Sequence, residues 1–537
     1  MPSVLMRRQN NVLELSTNGG QLPATLQERL EAQLTYTHLT ALRGADAIDP
    51  DTHAYRPLRS DRVPLYQYDS KGRFICSRGW EYRLRDLLAV AGYEVEYKIL
   101  PPFPDMERHA FDFDRVYDRM ELRARQDECL AAIASNDMGV IVAPTGFGKS
   151  YLFAAVCMLY PKAKIHVITK RRDVVKRLHR HLTKFIPNVG QVGAGKARWG
   201  RVTVVTADSM HKVDHTPQHE ADIVLADEVH ELMAPTYVEQ LALYRTSRMY
   251  GFTATPDGRF DGAHYRIEGL FGRPIFEMTY PEAVELGLVV PVKVEWINVH
   301  IEKNPGEDYA ETAKERWGIW RNDERNAMIA AKANEFAEDE QVLILVRSVE
   351  HAIYLKQHLP HFKLCYDKID DAEYRGYVRN QLLDPDDEPQ MISARRDRMQ
   401  VEFEEGKLKK VIATDVWSTG VDFPQLAVLI RADARSSEII DIQAPGRVVR
   451  KHDASGKQYG LVVDLMDHFD GTFLRRSQQR RRNYKAQGWE QVTPGGGRTT
   501  RPVTPMPDGP PARAVNSSGR YPGDQPTLFD VEEEAPA

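Results

Sequence analysis

Cysteine is scarce in this chain of 537 residues, which has only Cys76, Cys129, Cys157 and Cys365. Because these four are far apart and form no CxxC pair, the sequence predicts neither a zinc ribbon nor a disulfide framework, and a reducing compartment fits. Long apolar runs are also lacking: no uncharged stretch approaches the ~18–20 residues of a membrane span, and the N-terminus has no signal-peptide core. We therefore expect a cytoplasmic protein without a membrane partner.

An excess of positive charge is absent as well. The chain has 72 Lys and Arg against 77 Asp and Glu, a formal net charge of −5. The molecule as a whole therefore lacks the basic excess typical of nucleic-acid-binding proteins, although a local basic groove remains compatible with it. The 42% of hydrophobic residues is ordinary for globular proteins. At roughly 100–200 residues per domain, the length predicts about three or four domains.

Two regions alternate short β-branched runs with helical patterns, as expected for parallel sheets covered on both faces. The first region has the runs GVIVAP, KIHVIT, RVTVVT, DIVLAD and RMYGFTAT, and the second has QVLILV, KKVIAT, AVLIRA and GLVVDL. Residues 1–115 differ, with helical patterns in LPATLQERLEAQLTYTHL and WEYRLRDLLAVAG and strand-like RFICS and EVEYKIL. We predict an α/β protein with an accessory α+β domain at 1–115 and α/β domains at 116–290 and 291–492.

The last segment, residues 493–537, has nine Pro and six Gly and is predicted to be a disordered tail. Within it, Gln525-Pro-Thr-Leu-Phe529 resembles the peptides by which bacterial and phage proteins bind the sliding clamp. Leu528 and Phe529 form an apolar pair that suits insertion into a hydrophobic pocket, with Gln525 adding hydrogen bonds. A sliding clamp is therefore a predicted partner.

A phosphate-binding loop is predicted at Ala143-Pro-Thr-Gly-Phe-Gly-Lys-Ser150, between a strand and a helix. Gly146 and Gly148 allow backbone N–H groups to converge on phosphate oxygens, Lys149 adds a positive charge, and Ser150 offers a hydroxyl ligand for Mg²⁺. The first position is Ala143 where the generic loop has Gly. An ordinary Gly-containing turn is the alternative for the motif taken alone.

An acidic pair, Asp227-Glu228, follows the apolar run DIVLA. Ligands bind at the carboxyl edge of an open parallel sheet, which is where a Mg²⁺ ligand and a general base are needed. We assign Asp227 to the metal and Glu228 to the water that attacks the phosphate. A solvated helix start is the alternative for this pair alone.

The ordered motifs resemble those of superfamily 2 DExH helicases. APTGFGKS, DEVH and GFTATP resemble motifs I, II and III, VIATDVWSTGVDFP (411–424) resembles motif V, and Gln443-Ala-Pro-Gly-Arg-Val-Val-Arg450 resembles motif VI. ELRARQ (121–126) stands at the place of the upstream Q-type motif. Phage UvsW-type and XPB-type DNA helicases have a similar set. The resemblance covers about residues 116–490 and implies two tandem RecA-like domains with ATP and Mg²⁺ between them, in a bacterial or phage-infected cell.

The resemblance also implies the roles of individual residues. Glu228, Gln443, Arg447 and Arg450 are expected to be catalytic; a helix would place the last three on one face, although Pro445 makes a bent or late-starting helix equally compatible. His230, Thr253 and Thr255 are expected to couple hydrolysis to domain movement. The expected ATP contacts are Gln126 at the adenine, Thr145, Gly146, Phe147, Gly148, Lys149, Ser150 and Asp422.

A nucleic-acid track is implied at the ends of several strands. Its expected sugar-phosphate contacts are Thr169, Lys170, Arg171, Thr206, Arg347, Ser348 and Thr414, each of which is individually compatible with an ordinary cap or turn residue. The basic run Arg475, Arg476, Arg480, Arg481, Arg482 and Lys485 is a candidate backbone contact or a solvated helix face. Arg73, Arg78, Trp80, Tyr82, Arg83 and Arg85 are a candidate recognition surface.

Together these features predict an ATP-dependent DNA helicase or translocase that acts in replication, recombination or repair on single-stranded, forked or branched DNA. The alternatives are a duplex translocase that remodels DNA without separating strands, an ATP-gated binding adaptor, and, less favoured, an RNA helicase.

Overall fold

The computed structural model describes residues 2–9, 11–17, 20–41, 58–99, 107–216, 220–254, 265–309, 311–417, 421, 423–452 and 455–492. The predicted tail, with Gln525, Leu528 and Phe529, lies outside these residues, as do Thr255 and Asp422. Among the described helices, none combines the length and apolar character needed to cross a membrane.

The N-terminal sheet has the strand order β5-β6-β2-β1-β7, in which β7 is parallel to β1 and the other pairs are antiparallel. The pattern LPATLQERLEAQLTYTHL was predicted to be helical throughout, and this is wrong in its second half. The helix ends at Gln33, and the β-branched and aromatic alternation after Leu34 pairs as a separate hairpin, β3-β4. The elements are β1 (Ser3–Gln9), β2 (Val12–Ser16), α1 (Ala24–Gln33), β3 (Thr35–Ala41), β4 (Leu58–Pro64), β5 (Tyr66–Tyr68), β6 (Phe74–Ser77), α2 (Glu81–Val90) and β7 (Glu94–Ile99).

The first RecA-like sheet has eight strands in the order β11-β10-β12-β9-β13-β14-β8-β15, all parallel except β11. Its five central strands coincide with the five predicted runs and are buried almost throughout, because helices cover both faces. The elements are α3 (Phe113–Tyr117), α4 (Gln126–Ser135), β8 (Met138–Val142), α5 (Lys149–Leu159), β9 (Ile165–Thr169), α6 (Arg172–Leu182), β10 (Gly190–Gly193), β11 (Lys196–Arg198), β12 (Val202–Thr206), β13 (Ile223–Asp227), α7 (Pro235–Ala242), β14 (Arg248–Thr253), α8 (Tyr265–Phe271), β15 (Pro274–Glu277) and α9 (Tyr280–Glu285).

The second RecA-like sheet has seven parallel strands in the order β18-β19-β17-β20-β21-β16-β22. The predicted α/β class with two parallel sheets is confirmed. The elements are β16 (Val292–Val299), α10 (Glu311–Glu315), α11 (Asp323–Ala333), β17 (Val342–Leu345), α12 (Val349–Lys356), β18 (Lys363–Cys365), α13 (Asp371–Arg379), α14 (Ser393–Glu404), β19 (Lys410–Ala413), β20 (Val428–Arg431), α15 (Glu438–Gln443), β21 (Gly460–Asp467), α16 (Gly471–Ala486) and β22 (Glu490–Val492).

The N-terminal sheet is attached to the first RecA-like sheet through the residues that the sequence had suggested as a recognition surface. Trp80 is 1% exposed and packs against Gly269 of α8. Arg83 donates two hydrogen bonds to Glu268 of the same helix, at 3.1 and 2.7 Å. Arg78 is 7% exposed and pairs with Asp137, just before β8. The prediction of an exposed recognition surface is therefore wrong for Arg78 and Trp80, because both side chains are buried. Arg83 is partly exposed, and its guanidinium is held by Glu268.

Candidate active site

The phosphate-binding loop lies between β8 and α5, as predicted. Gly146 and Gly148 have φ angles of 102° and 91°, in the left-handed region that side chains other than glycine rarely adopt. A Cβ atom on Gly146 would also lie 2.4 Å from Cγ1 of Val289. Since α5 begins at Lys149, the loop stands at the N-terminus of an 11-residue helix, a setting that favours anions.

Gln126 holds this loop from below. Its side chain is fully buried, its Nε2 donates to the Phe147 carbonyl at 2.8 Å, and its Oε1 accepts from the Arg123 backbone N–H at 2.9 Å. Phe147 is buried as well and stacks on Phe276 at 5.4 Å between ring centroids. Both amide atoms of Gln126 are thus bound to backbone, a structural task that the sequence did not reveal; its contact with adenine stays a prediction.

The acidic pair stands at the carboxyl end of β13, opposite the loop. Nζ of Lys149 donates to Oε1 of Glu228 at 2.5 Å, and Glu228 has a left-handed backbone with φ of 49°. Burial, with the neighbouring charge of Glu228, raises the pKa of Asp227 to about 6. Burial works against ionisation of Glu228 too, but the positive charge of Lys149 keeps the pKa of Glu228 below its ordinary value. The two carboxyls therefore differ in proton affinity.

A chain of buried hydrogen bonds connects the two RecA-like sheets. Nδ1 of His230 is 2.9 Å from Oγ1 of Thr253, and its Nε2 is 2.9 Å from Nε2 of Gln443. Because the amide nitrogen of Gln443 can only donate, Nε2 of His230 accepts, and the ring proton is on Nδ1, directed to Thr253. His230 is 1% exposed. The structure thus joins the ends of β13, β14 and α15.

The second RecA-like sheet contributes Gln443, Arg447 and Arg450. A single helix carrying all three is not present: α15 ends at Gln443, and Pro445 begins a separate short 3₁₀ turn. The reason is that proline has no N–H to continue the helical bonding and clashes with the preceding turn. Nη1 of Arg447 donates to the Val421 carbonyl. All three side chains nevertheless line the same cleft.

This cleft lies between the two sheets and has a volume of about 480 Å³. Predicted ATP-site residues meet there from both sides: Thr145, Gly146, Gly148, Lys149, Ser150, Asp227, Glu228, Gln443, Arg447 and Arg450. Four further lining residues were not among the predicted contacts, because loop motifs do not identify the helix faces and turns beside them: Tyr151, Arg177, His181 and Glu231. Glu121 and Arg123, which belong to the ELRARQ segment before α4, line the cleft as well.

The predicted nucleic-acid residues all stand at carboxyl ends of strands, but their environments differ. Thr169 and Arg171 line the cleft between the two sheets. Thr206 is 2% exposed and donates to Oγ of Ser209 at 2.9 Å.

The remaining track residues differ as well. Ser348 caps α12 by accepting from the His351 N–H at 3.1 Å, and Thr414 is buried. Lys170 and Arg347 are exposed. Of the described track residues, these two are therefore the most accessible to a polyanion.

Known proteins resemble both halves of this site. Residues 119–258 match the family described as type III restriction enzyme, res subunit, and residues 326–452 match the helicase conserved C-terminal domain. Over 409 residues the chain is 24% identical to the DNA 3'-5' translocase XPB2 of Sulfurisphaera tokodaii, covering 72% of this chain and 89% of that protein.

Two further similarities are more limited. The ATP-dependent DNA helicase uvsW of Enterobacteria phage T4 is 28% identical over 205 residues, which are 37% of this chain and 36% of that protein. A fragment of an HsdR subunit of a type I restriction enzyme from Vibrio vulnificus has a TM-score of 0.50 and 13% identity, covering 86% of this chain and 91% of that one. This last likeness concerns the fold alone.

Proposed function

We propose, from the premise that this chain is a superfamily 2 helicase, that it couples ATP hydrolysis to strand separation or branch remodelling of DNA. The observation that carries the proposal is the cleft in which Lys149 and Glu228 of the first RecA-like sheet face Arg447 and Arg450 of the second. Such an arrangement lets ATP bridge two bodies, so that hydrolysis changes the contact between them.

The roles in the cleft follow from charge and position. Lys149 and the loop N–H groups bind the phosphates, and Glu228 polarises the water that attacks the γ-phosphate in line. Because Nζ of Lys149 is bonded to Glu228, this ion pair must break before Lys149 can bind a phosphate. Nucleotide binding therefore releases Glu228, the proposed general base. Arg447 and Arg450 stabilise the charge that develops on the γ-phosphate oxygens, which suits the planar, permanently charged guanidinium.

Mg²⁺ fits this cleft. The ion usually takes one or two protein carboxylates and completes its shell with phosphate oxygens and waters. Ser150 and Asp227 both line the cleft. Burial raises the pKa of Asp227, and a bound cation would stabilise the ionised form of this carboxyl. Within the described residues no group of three or more His, Cys, Asp or Glu is placed to hold a metal unaided. The bound ion would neutralise phosphate charge, held by Ser150 and Asp227.

The coupling proposal uses the chain of buried hydrogen bonds. His230 touches the strand end at Thr253 and, across the cleft, Gln443. A movement of one sheet relative to the other would break the bond between His230 and Gln443. The position of the imidazole beside Glu228 would therefore depend on the distance between the two sheets. Thr255 belongs to the same proposal by sequence.

DNA as the substrate is supported by relatives named as DNA helicases and translocases. The exposed Lys170 and Arg347 would hold sugar-phosphate oxygens without reading sequence. The proposal has three further parts. The protein acts in the cytoplasm, its domains meet at residues 115, 290 and 492, and it binds a sliding clamp through Gln525, Leu528 and Phe529. Deleting residues 524–530 should abolish clamp binding; unchanged binding would refute that part.

The central test is Glu228→Gln. Loss of a general base should lower DNA-stimulated ATP turnover by about 10²–10⁴-fold while the protein stays folded. Glu239→Gln removes an exposed carboxyl of α7 that does not line the cleft and should leave turnover unchanged. Normal turnover in Glu228→Gln would refute the assignment of the base. Strand displacement on forked DNA, compared with blunt duplex and RNA, separates a helicase from a duplex translocase, an ATP-gated adaptor and an RNA enzyme.

A further inference from the structure

A concentration of positive charge lies on and around α6. Residues 170–184, KRRDVVKRLHRHLTK, have seven Lys and Arg against a single Asp, in a protein whose net charge is −5. Arg171 and Arg177 line the nucleotide cleft, which accounts for two of these cations. The other cations do not line that cleft, and the proposed ATP chemistry gives them no task.

Helix α6 has a buried apolar face and an exposed basic face. Val174, Val175, Leu178 and Leu182 are buried against the sheet. On the outer face, Arg172, Lys176 and Arg180 are exposed and follow one another at every fourth position. At 1.5 Å per residue these three, which we name the α6 stripe, are about 6 Å apart along the axis and span about 12 Å.

The α6 stripe has almost no compensation within the molecule. Arg172 and Arg180 form no ion pair with any described residue, and Lys176 has one contact, 3.3 Å from Asp397 of α14. Both partners of that contact are about half exposed, so it contributes little. Like charges four residues apart destabilise a helix. The stripe is thus unfavourable for the helix that carries it, and a solubilising face would mix both signs.

We propose that the α6 stripe binds the phosphodiester backbone of DNA. The stripe continues from Lys170 at the carboxyl edge of the first RecA-like sheet. The contact between Lys176 and Asp397 places the stripe beside α14 of the second RecA-like region, where a DNA strand would cross from one region to the other. A row of cations of one sign attracts a polyanion without reading its sequence. The inference rests on the proposed function and adds a contact surface outside the strand ends.

The test replaces the stripe by glutamine, as Arg172→Gln, Lys176→Gln and Arg180→Gln together. Binding of a forked DNA is measured by fluorescence anisotropy between about 50 and 200 mM salt, because each phosphate contact contributes about 0.7–0.9 to the slope of log K against log salt. We expect the slope to fall by about two to three, the affinity at the lowest salt to fall at least about tenfold, and the basal ATPase rate to stay unchanged.

Two comparison proteins make the result specific. Arg475→Gln, Arg481→Gln and Arg482→Gln remove the same charge from exposed positions of α16 and should change the slope by less than half as much. Arg172→Lys with Arg180→Lys keeps the charge and should keep the slope.

An unchanged salt slope in the stripe variant, or an equal fall of the slope in the α16 variant, would refute DNA binding by the α6 stripe. Either result would leave DNA-stimulated ATPase activity, and therefore the proposed function, intact. Wild-type protein that binds no DNA would overturn both.

Discussion

The two RecA-like sheets treat buried charge in opposite ways. In the second, guanidinium groups neutralise carboxylates inside the core: Arg480 with Asp464 at 2.9 Å, and Arg325 with Asp467 at 2.8 Å, all within 1% of full burial. In the first, Asp227 is buried and has no cation in hydrogen-bond contact among the described residues, and its pKa is raised to about 6. Removing one partner of a buried ion pair leaves an uncompensated charge, which is strongly destabilising. A buried carboxyl with a strongly raised pKa is instead a feature that is frequent at ligand and catalytic sites.

Two arginine-rich helices make the same contrast. The run on α16 was a candidate DNA contact, but Arg480 is 1% exposed and binds Asp464, and Arg476 pairs with Glu315. The prediction of a DNA contact or a solvated face is wrong for Arg480, because the buried Asp464 of β21 binds its guanidinium. Arg476 stays partly exposed beside Glu315. On the outer face of α6, Asp397 is the one carboxylate that pairs with Arg172, Lys176 or Arg180 within the part of the chain that the structure describes. The number of arginines in a helix therefore says little until their partners are known.

The largest loss of stability is expected from Arg480→Ala in the second RecA-like sheet. The guanidinium donates to both oxygens of Asp464, to the Leu465 carbonyl and to Ser477, so its removal leaves a buried carboxylate unpaired. We expect a loss of about 3–5 kcal/mol in the free energy of unfolding, measured by urea denaturation. A loss below about 1 kcal/mol would show that the pair is not a stabilising element.

Asp227→Asn tests the opposite case. The folded protein holds a proton on Asp227 up to about pH 6, well above the ordinary carboxyl value, so wild-type stability falls as pH rises through this range. Asparagine removes that cost, and the nucleotide-free variant should be more stable than wild type by up to about 3 kcal/mol at neutral pH. The gain, followed by urea denaturation at several pH values, should shrink below about pH 6; a gain independent of pH would contradict it.

Tyr484→Phe weakens the paired network without leaving a charge alone. The hydroxyl donates to Asp464 at 2.7 Å and accepts from Arg431 at 3.0 Å. Hydrogen bonds to charged groups contribute about 1.5–3 kcal/mol, so we expect a loss of about 2 kcal/mol by the same denaturation measurement. A variant as unstable as Arg480→Ala would mean that the hydroxyl, and not the ion pair, organises the cluster.

The smallest effect on stability is expected from the α6 stripe. Replacing Arg172, Lys176 and Arg180 one at a time by glutamine should change the free energy of unfolding by no more than about 0.5 kcal/mol each, because exposed side chains contribute little and the one ion pair, of Lys176 with Asp397, is half exposed. Thermal unfolding at low salt should detect a slight gain from relieved repulsion. A clear loss would mean that the stripe has a structural partner.

Much of the fold was accessible to sequence reasoning, because both-faces-buried strands have continuous apolar runs and the glycine loop has a fixed spacing. The N-terminal hairpin β1-β2 was not predicted, since its short alternation resembles many exposed segments. The course of Gln443 to Arg450 was ambiguous in sequence, and the break at Pro445 decided it. The task of Gln126 under the loop was invisible, because it depends on the backbone of Phe147, 21 residues away.

By itself the sequence determined the order of motifs, the two parallel sheets and the residue types at each strand end, because these depend on local periodicity and spacing. Only the tertiary structure decided which of those residues meet. The approach of His230 to Gln443 joins positions 213 residues apart. The burial of Arg480, the pairing of Lys149 with Glu228 and the exposure of the α6 stripe depend on what lies opposite each side chain, and electrostatic free energy is set by that surrounding and not by the residue alone.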